Sequence, residues 1–82
     1  MKGKRVYPDE NGYMHFDEGD YGKDASGDWM ARAPGIRAAG SLVNHDVIEH
    51  DDGTITVTPS ILMDSGDQNY HGYLQGGEWS EA

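Results

Sequence analysis

The fold class follows most directly from residues 47–57, Val47-Ile48-Glu49-His50-Asp51-Asp52-Gly53-Thr54-Ile55-Thr56-Val57. Asp52-Gly53 separates two runs rich in β-forming residues, and glycine accepts the positive φ that a tight hairpin turn requires. After the turn, threonines alternate with Ile55 and Val57, which is the period of a strand with one buried face. We therefore predict a β-hairpin around residues 51–53.

Further strands are predicted on both sides of this hairpin. Gly76-Gly77 separates two short aromatic runs and predicts a second hairpin. Pro59 cannot donate to a strand ladder, so it marks a strand end, a bulge or an edge. Residues 13–17 and 42–50 have the composition of strands, whereas residues 18–27 are rich in glycine and acids, as loops are.

The predicted fold class is mainly β. We expect a small antiparallel sheet of about four to six short strands with tight hairpins, and at most one short helix near residues 29–40. Residues 1–12 are predicted to be a loose N-terminal arm, and residues 13–82 a single small β-rich domain. The expected core is thin; it consists of Phe16, Trp29, Ile55, Val57, Ile61, Tyr73, Leu74 and Trp79.

Charge is distributed very unevenly along the chain. The 82 residues hold 6 Lys and Arg against 15 Asp and Glu, a formal net charge of −9. All six cations lie at or before Arg37, and residues 38–82 contain eight acids with no Lys or Arg. Only the N-terminal cations, solvent ions or a cationic partner can neutralise these acids.

Composition argues against several classes of protein. A net charge of −9 would repel phosphates, so direct nucleic-acid binding is not expected. The chain has no cysteine, no apolar run of 18 residues and no apolar segment after its basic first residues, so we expect a cytoplasmic protein without disulfides. It also lacks a nucleophile-elbow or phosphate-loop motif, so we predict no enzyme activity and no cofactor.

Metal binding is the weaker chemical alternative. His45, His50 and His71 lie among acids, but the spacing of the first two puts them on opposite faces of one strand and matches no zinc signature. Residues 64–67 resemble part of a calcium loop but lack its 12-residue pattern and its closing Glu. We therefore predict no metal ligands and keep a small His/Asp metal-binding module as an alternative.

The acids at turns and strand edges are the predicted partner-binding residues. They are Glu49, Asp51, Asp52, Asp64 and Asp67. One interpretation is a solvated acidic face that promotes solubility. The other is a surface complementary to a basic nucleic-acid-binding groove on a partner protein, with fast and salt-sensitive association.

Part of the C-terminal half carries a recognisable pattern. Residues 45–62 read H-D-V-I-E-H-D-D-G-T-I-T-V-T-P-S-I-L and residues 70–74 read Y-H-G-Y-L. The pattern resembles a family of small uncharacterised proteins common in phages and prophages, in which Trp usually stands where this chain has Tyr70. The resemblance covers about the last half of the chain. It implies a phage or mobile-element setting, and it assigns a catalytic role to none of the residues of this chain.

The resemblance suggests a function by analogy. Small acidic cysteine-free phage proteins that act inside the host include anti-CRISPR inhibitors, and this chain is similar in size and charge to those that block DNA binding by the Cascade complex. We therefore expect an inhibitor in the host cytoplasm whose partner is Cascade or another CRISPR effector, with no membrane partner. A virion assembly protein using β-sheet self-association is the alternative, and a homodimer is left open.

Overall fold

The computed structural model describes residues 1–82 and consists of seven strands in two antiparallel sheets. The first sheet has the order β1-β2-β3, with β1 at Tyr21–Lys23, β2 at Trp29–Ala31 and β3 at Gly40–Ser41. The second has the order β4-β5-β6-β7, with β4 at Asp46–Glu49, β5 at Ile55–Asp64, β6 at Asn69–Gln75 and β7 at Glu78–Glu81. The mainly antiparallel β fold is confirmed.

The second sheet contains both predicted hairpins. β4 and β5 pair from Asp46↔Thr58 to Glu49↔Ile55, and Gly53 takes a φ of 87° in the turn between them. β6 and β7 end on the pair Gln75↔Glu78, with Gly76 and Gly77 at positive φ. No helix forms, and none of the elements could therefore cross a membrane as a helix.

Strand β5 is irregular at the position that its proline marks. Its register against β6 shifts between Val57 and Ile61, and the Thr58–Pro59 peptide bond in this interval is cis. A shift of register is the signature of a bulge, where one strand has more residues than its partner. Pro59 therefore lies at a bulge inside β5 and not at a strand end, and it is also the first residue of β5 beyond the part that pairs with β4.

The core lies on one face of the four-stranded sheet. Ile55, Val57, Ile61, Leu74 and Trp79 are buried there, as predicted, together with Tyr21 of β1 and Leu42, which follows β3. Phe16 and Trp29 are only half-buried, and the ring of Tyr73 is 40% exposed. Tyr73 was wrongly assigned to the core because it alternates with the inward-facing Leu74 and so points outward.

The first six residues are attached to both sheets, whereas the sequence predicts a loose arm. At β7, the Trp79 N–H donates to Met1 O (2.7 Å) and the Gly3 N–H to Gly77 O (2.8 Å). At β1, the Tyr21 N–H donates to Lys4 O (3.1 Å). These hydrogen bonds join backbone groups that are far apart in the sequence. The side chains of the arm therefore show no pattern from which the attachment could be predicted.

Two local predictions in the N-terminal third are wrong. Residues 13–17 form no strand, because they pair with no other segment, and Tyr13 is 74% exposed. Conversely, β1 lies inside residues 18–27, which were predicted to be a loop. Tyr21 is 1% exposed there, so burial of one aromatic side chain and pairing with β2 outweigh the surrounding turn residues.

Two leucines of the four-stranded sheet give a matched test of this core. Leu74→Ala removes a fully buried side chain and should lower the free energy of unfolding by about 2–5 kcal/mol. Leu62→Ala, where the side chain is 72% exposed, should change it by less than about 0.5 kcal/mol. Urea unfolding followed by tryptophan fluorescence measures both, and equal losses would contradict the assignment of faces.

A glycine in the arm tests whether residues 1–6 contribute to stability. A Cβ on Gly3 would lie 2.9 Å from both Trp79 Nε1 and Tyr21 Cε2 and would also collide with the Gly19 carbonyl oxygen. Gly3→Ala should therefore displace the arm and lower the free energy of unfolding by about 1–3 kcal/mol. Lys4→Ala, at an exposed position of the same arm, is the control and should cost less than about 0.5 kcal/mol.

Candidate binding surface

The outer face is the side of the four-stranded sheet that points away from the core. Strand alternation places there Asp46, Ile48, Thr56, Thr58, Ser60, Leu62, His71 and Tyr73. Ile48 and Leu62 are 57% and 72% exposed. Since residues 38–82 contain no Lys or Arg, this whole sheet is built without a cation.

The five predicted partner-binding acids form two groups rather than one. Glu49, Asp51 and Asp52 lie at the turn between β4 and β5, and Asp64 and Asp67 lie at the turn between β5 and β6. Those turns are at opposite ends of the ten-residue strand β5. At about 3.3 Å per residue, the two groups are separated by up to about 30 Å along the strand.

Glu49 has its own cation. Its Oε2 accepts a hydrogen bond from Arg5 Nη1 at 2.8 Å, and the same Nη1 donates to the Gly53 carbonyl oxygen at 2.9 Å. The guanidinium also lies over the rings of Tyr7 and Trp29. The hydrogen bond from Arg5 lowers the pKa of Glu49, so this carboxylate remains charged but is compensated inside the molecule.

Asp67 is compensated in a similar way. Arg37 Nη2 lies 2.8 Å from its Oδ1 and 3.0 Å from its Oδ2, and both side chains are exposed. The ion pair connects the N-terminal half to the turn between β5 and β6. Two of the five predicted acids are thus paired with arginines that are more than 25 residues away in the sequence.

The remaining predicted acids have no ion pair. Asp51 is exposed, Asp52 accepts hydrogen bonds from the Thr54 hydroxyl and N–H, and Asp64 accepts one from the Gly66 N–H. The hydroxyl bond holds the pKa of Asp52 below its ordinary value. Asp46, which sequence reasoning did not single out, is a further exposed and unpaired acid on the outer face.

The histidines are dispersed in separate hydrogen bonds. His45 Nε2 donates to the Ser60 carbonyl oxygen at 3.1 Å, His50 Nε2 lies 2.7 Å from Thr56 Oγ1, and His71 Nε2 lies 3.0 Å from Ser60 Oγ. No group of three His, Cys, Asp or Glu side chains is placed to hold a metal ion. The arrangement therefore offers no ligand set for the metal-binding alternative.

A cleft of about 270 Å³ lies beside the outer face. One wall contains Ile36, residues 38–42, which include β3, and His45, and the other consists of residues 61–65 at the end of β5. Sequence reasoning missed this cleft. It predicted one strand over residues 42–50, whereas the strand covers only Asp46–Glu49 and leaves the end of β5 without a neighbour on that side.

Comparison with known proteins adds no relative to this description. No family model, curated protein or solved structure matches the chain.

The Arg5–Glu49 ion pair predicts a pH-dependent stability difference. Because the folded state lowers the pKa of Glu49, its stabilisation is fully present above about pH 4.3, the ordinary pKa of Glu, and is lost as the pH falls through the lowered folded-state value. Glu49→Gln should thus be less stable than the parent chain at pH 7 and converge with it in acid.

Chemical unfolding at a series of pH values from 7 to 3 measures this convergence. Asp51→Asn is the matched control, because it removes one negative charge from the same hairpin without breaking an ion pair. A difference between Glu49→Gln and the parent that stays constant across the series would show that the carboxylate charge is not the cause.

Proposed function

We propose that the protein is a non-enzymatic acidic inhibitor that binds the basic nucleic-acid-binding surface of another protein. The observation that carries this proposal is the four-stranded sheet, which contains no Lys or Arg and is bordered by acids outside any ion pair. Those acids are Asp46, Asp51, Asp52, Asp64 and Glu81. Glu49 and Asp67 contribute less, since Arg5 and Arg37 already compensate them.

Electrostatics favours a basic partner over nucleic acid. Uncompensated carboxylates on a surface of one sign attract a cationic groove and repel phosphates. Such attraction raises the association rate and weakens with salt, because it acts over a Debye length of about 8 Å at physiological ionic strength. Exposed Ile48, Leu62 and Tyr73 on the outer face supply the apolar contacts that charges alone do not.

The resemblance to phage proteins makes the partner more specific. We propose a host defence complex whose DNA-binding groove is basic, with Cascade or another CRISPR effector as the leading candidate, and hence action in the host cytoplasm. In this proposal the acidic surface blocks DNA binding by occupying the groove. Bound protein and bound DNA would then exclude each other.

A charge reversal tests the proposal directly. Asp46→Lys/Asp51→Lys changes two exposed acids whose side chains make no hydrogen bond, so the fold should persist. We expect the double variant to bind purified Cascade at least about ten-fold more weakly at low salt, with slower association and a shallower salt dependence. Surface plasmon resonance from 50 to 500 mM salt measures all three quantities.

A second double variant controls for net charge. Glu10→Lys/Asp28→Lys makes the same change in net charge at exposed positions outside the four-stranded sheet and should bind like the parent chain. If both double variants weakened binding equally, net charge and not the four-stranded sheet would determine the affinity. Failure of the parent chain to capture Cascade or any nucleic-acid-binding complex from host lysate at low salt would refute the proposal, and a large ordered oligomer would favour the virion assembly alternative.

A further inference from the structure

We propose that the cleft between β3 and β5 receives an extended, basic peptide segment of a partner protein, which adds a strand to the open edge of β5. This goes beyond the proposed function, because it concerns a strand edge and not the outer face, and because it requires no groove that binds nucleic acid.

The edge of β5 that faces the cleft is unpaired. β4 pairs only with Ile55 to Thr58, so no strand covers the rest of β5 on that side. On the other side, Leu62 is opposite His71, whose carbonyl oxygen accepts from the Ala82 N–H and therefore points toward β7. Since His71 does not turn its backbone toward β5, Leu62 has no partner there, and its N–H and C=O face the cleft.

The free backbone groups continue along the strand beyond Leu62. Backbone groups in a strand alternate in direction, so Asp64 turns its N–H and C=O to the same side as Leu62. These groups form the row of free donors and acceptors to which an extended peptide adds as a new strand. At the other end of the row, the Ser60 carbonyl oxygen already accepts from His45 Nε2, which limits the open edge to residues 61–64.

The opposite wall of the cleft is also a strand edge. β3 pairs with β2 on one side and has no strand on the other. The arm bridges the two sheets, because Lys2 pairs with Glu78 of β7 and Arg5 pairs with Tyr21 of β1. Paired segments therefore form one continuous series in the order β4, β5, β6, β7, arm, β1, β2 and β3. The cleft thus lies between β3, which is the last strand of this series, and the part of β5 that β4 does not cover.

An ion pair limits the cleft at one end. Arg37 lies between two residues of the first wall, and its partner Asp67 lies two residues beyond Ser65 in the second. The side chains along the walls include Ile36, Leu42, Ile61 and Met63, which suit an apolar residue of the incoming segment.

Charge identifies the occupant as a basic segment rather than a second copy of this chain. Asp64 borders the cleft without an ion pair, and no Lys lies anywhere in residues 38–82. Two copies, each with a net charge of −9, would place like charges together across such an edge. A segment with Lys or Arg would instead pair with Asp64 while its backbone bonds Leu62.

Selection from a phage-displayed library of random linear eight-residue peptides, with the full chain immobilised, tests the proposal. We expect enriched peptides to combine Lys or Arg with apolar β-forming residues. On binding of a synthetic selected peptide, hydrogen exchange should slow at the amides of Leu62 and Asp64. The same peptide N-methylated at its central residues should bind at least about ten-fold more weakly, because it cannot complete the ladder.

Variants of the protein provide the second readout. Leu62→Pro removes the N–H that faces the cleft and should weaken binding about ten-fold, whereas Leu62→Thr keeps that N–H and should bind within about three-fold of the parent. Asp64→Lys should shift the selected peptides from basic to acidic. This variant keeps the proposal testable if Leu62→Pro does not fold.

Several outcomes would overturn the proposal. They are an absence of enriched peptides, enriched peptides without basic residues, equal binding of the N-methylated peptide, and protection of amides in β4 or β6 in place of Leu62 and Asp64. Protection that grows with protein concentration in the absence of peptide would assign the edge to a second copy. Asp46→Lys/Asp51→Lys should bind the selected peptide normally, so failure of this proposal and failure of the proposed function can be distinguished.

Discussion

The hydrogen bond from the Trp79 indole N–H to the Gly19 carbonyl oxygen joins the two sheets. It is buried, 2.8 Å long and connects β7 to the loop that precedes β1. The close approach of Gly3 to this tryptophan then lets the arm bond to both sheets. Because each small sheet buries little surface alone, the stability of either depends on this junction.

That junction also determines where charges meet. The arm carries Arg5 to the β4–β5 hairpin, where its guanidinium binds Glu49 and the Gly53 carbonyl oxygen. A chain that separates cations and acids in sequence thus brings some of them together in space. The acids of the four-stranded sheet and its turns that remain outside any ion pair are Asp46, Asp51, Asp52, Asp64 and Glu81. Among them, Asp46 gives the outer face its negative character and Asp64 does so for the cleft.

Local signals explain which features the sequence could predict. The turn glycines at 53 and 76–77, the alternation of Ile55 and Val57 and the interruption at Pro59 each depend on a few neighbouring residues, and all correspond to structure. The arm, the Arg5 and Arg37 ion pairs and the open edge of β5 depend on residues far apart in the chain. Composition located the acids but could not show which of them an arginine compensates.

The acids beside the open edge of β5 affect which chains can pair with it, in addition to promoting solubility. An unpaired strand edge invites pairing with any extended chain, including another copy of the same protein. Asp64 on the edge itself and Asp46 on the neighbouring strand oppose self-pairing, because each copy presents the same charges. The same carboxylates attract a segment of opposite charge. The two acids therefore disfavour pairing with a second copy of the chain and favour pairing with a basic segment.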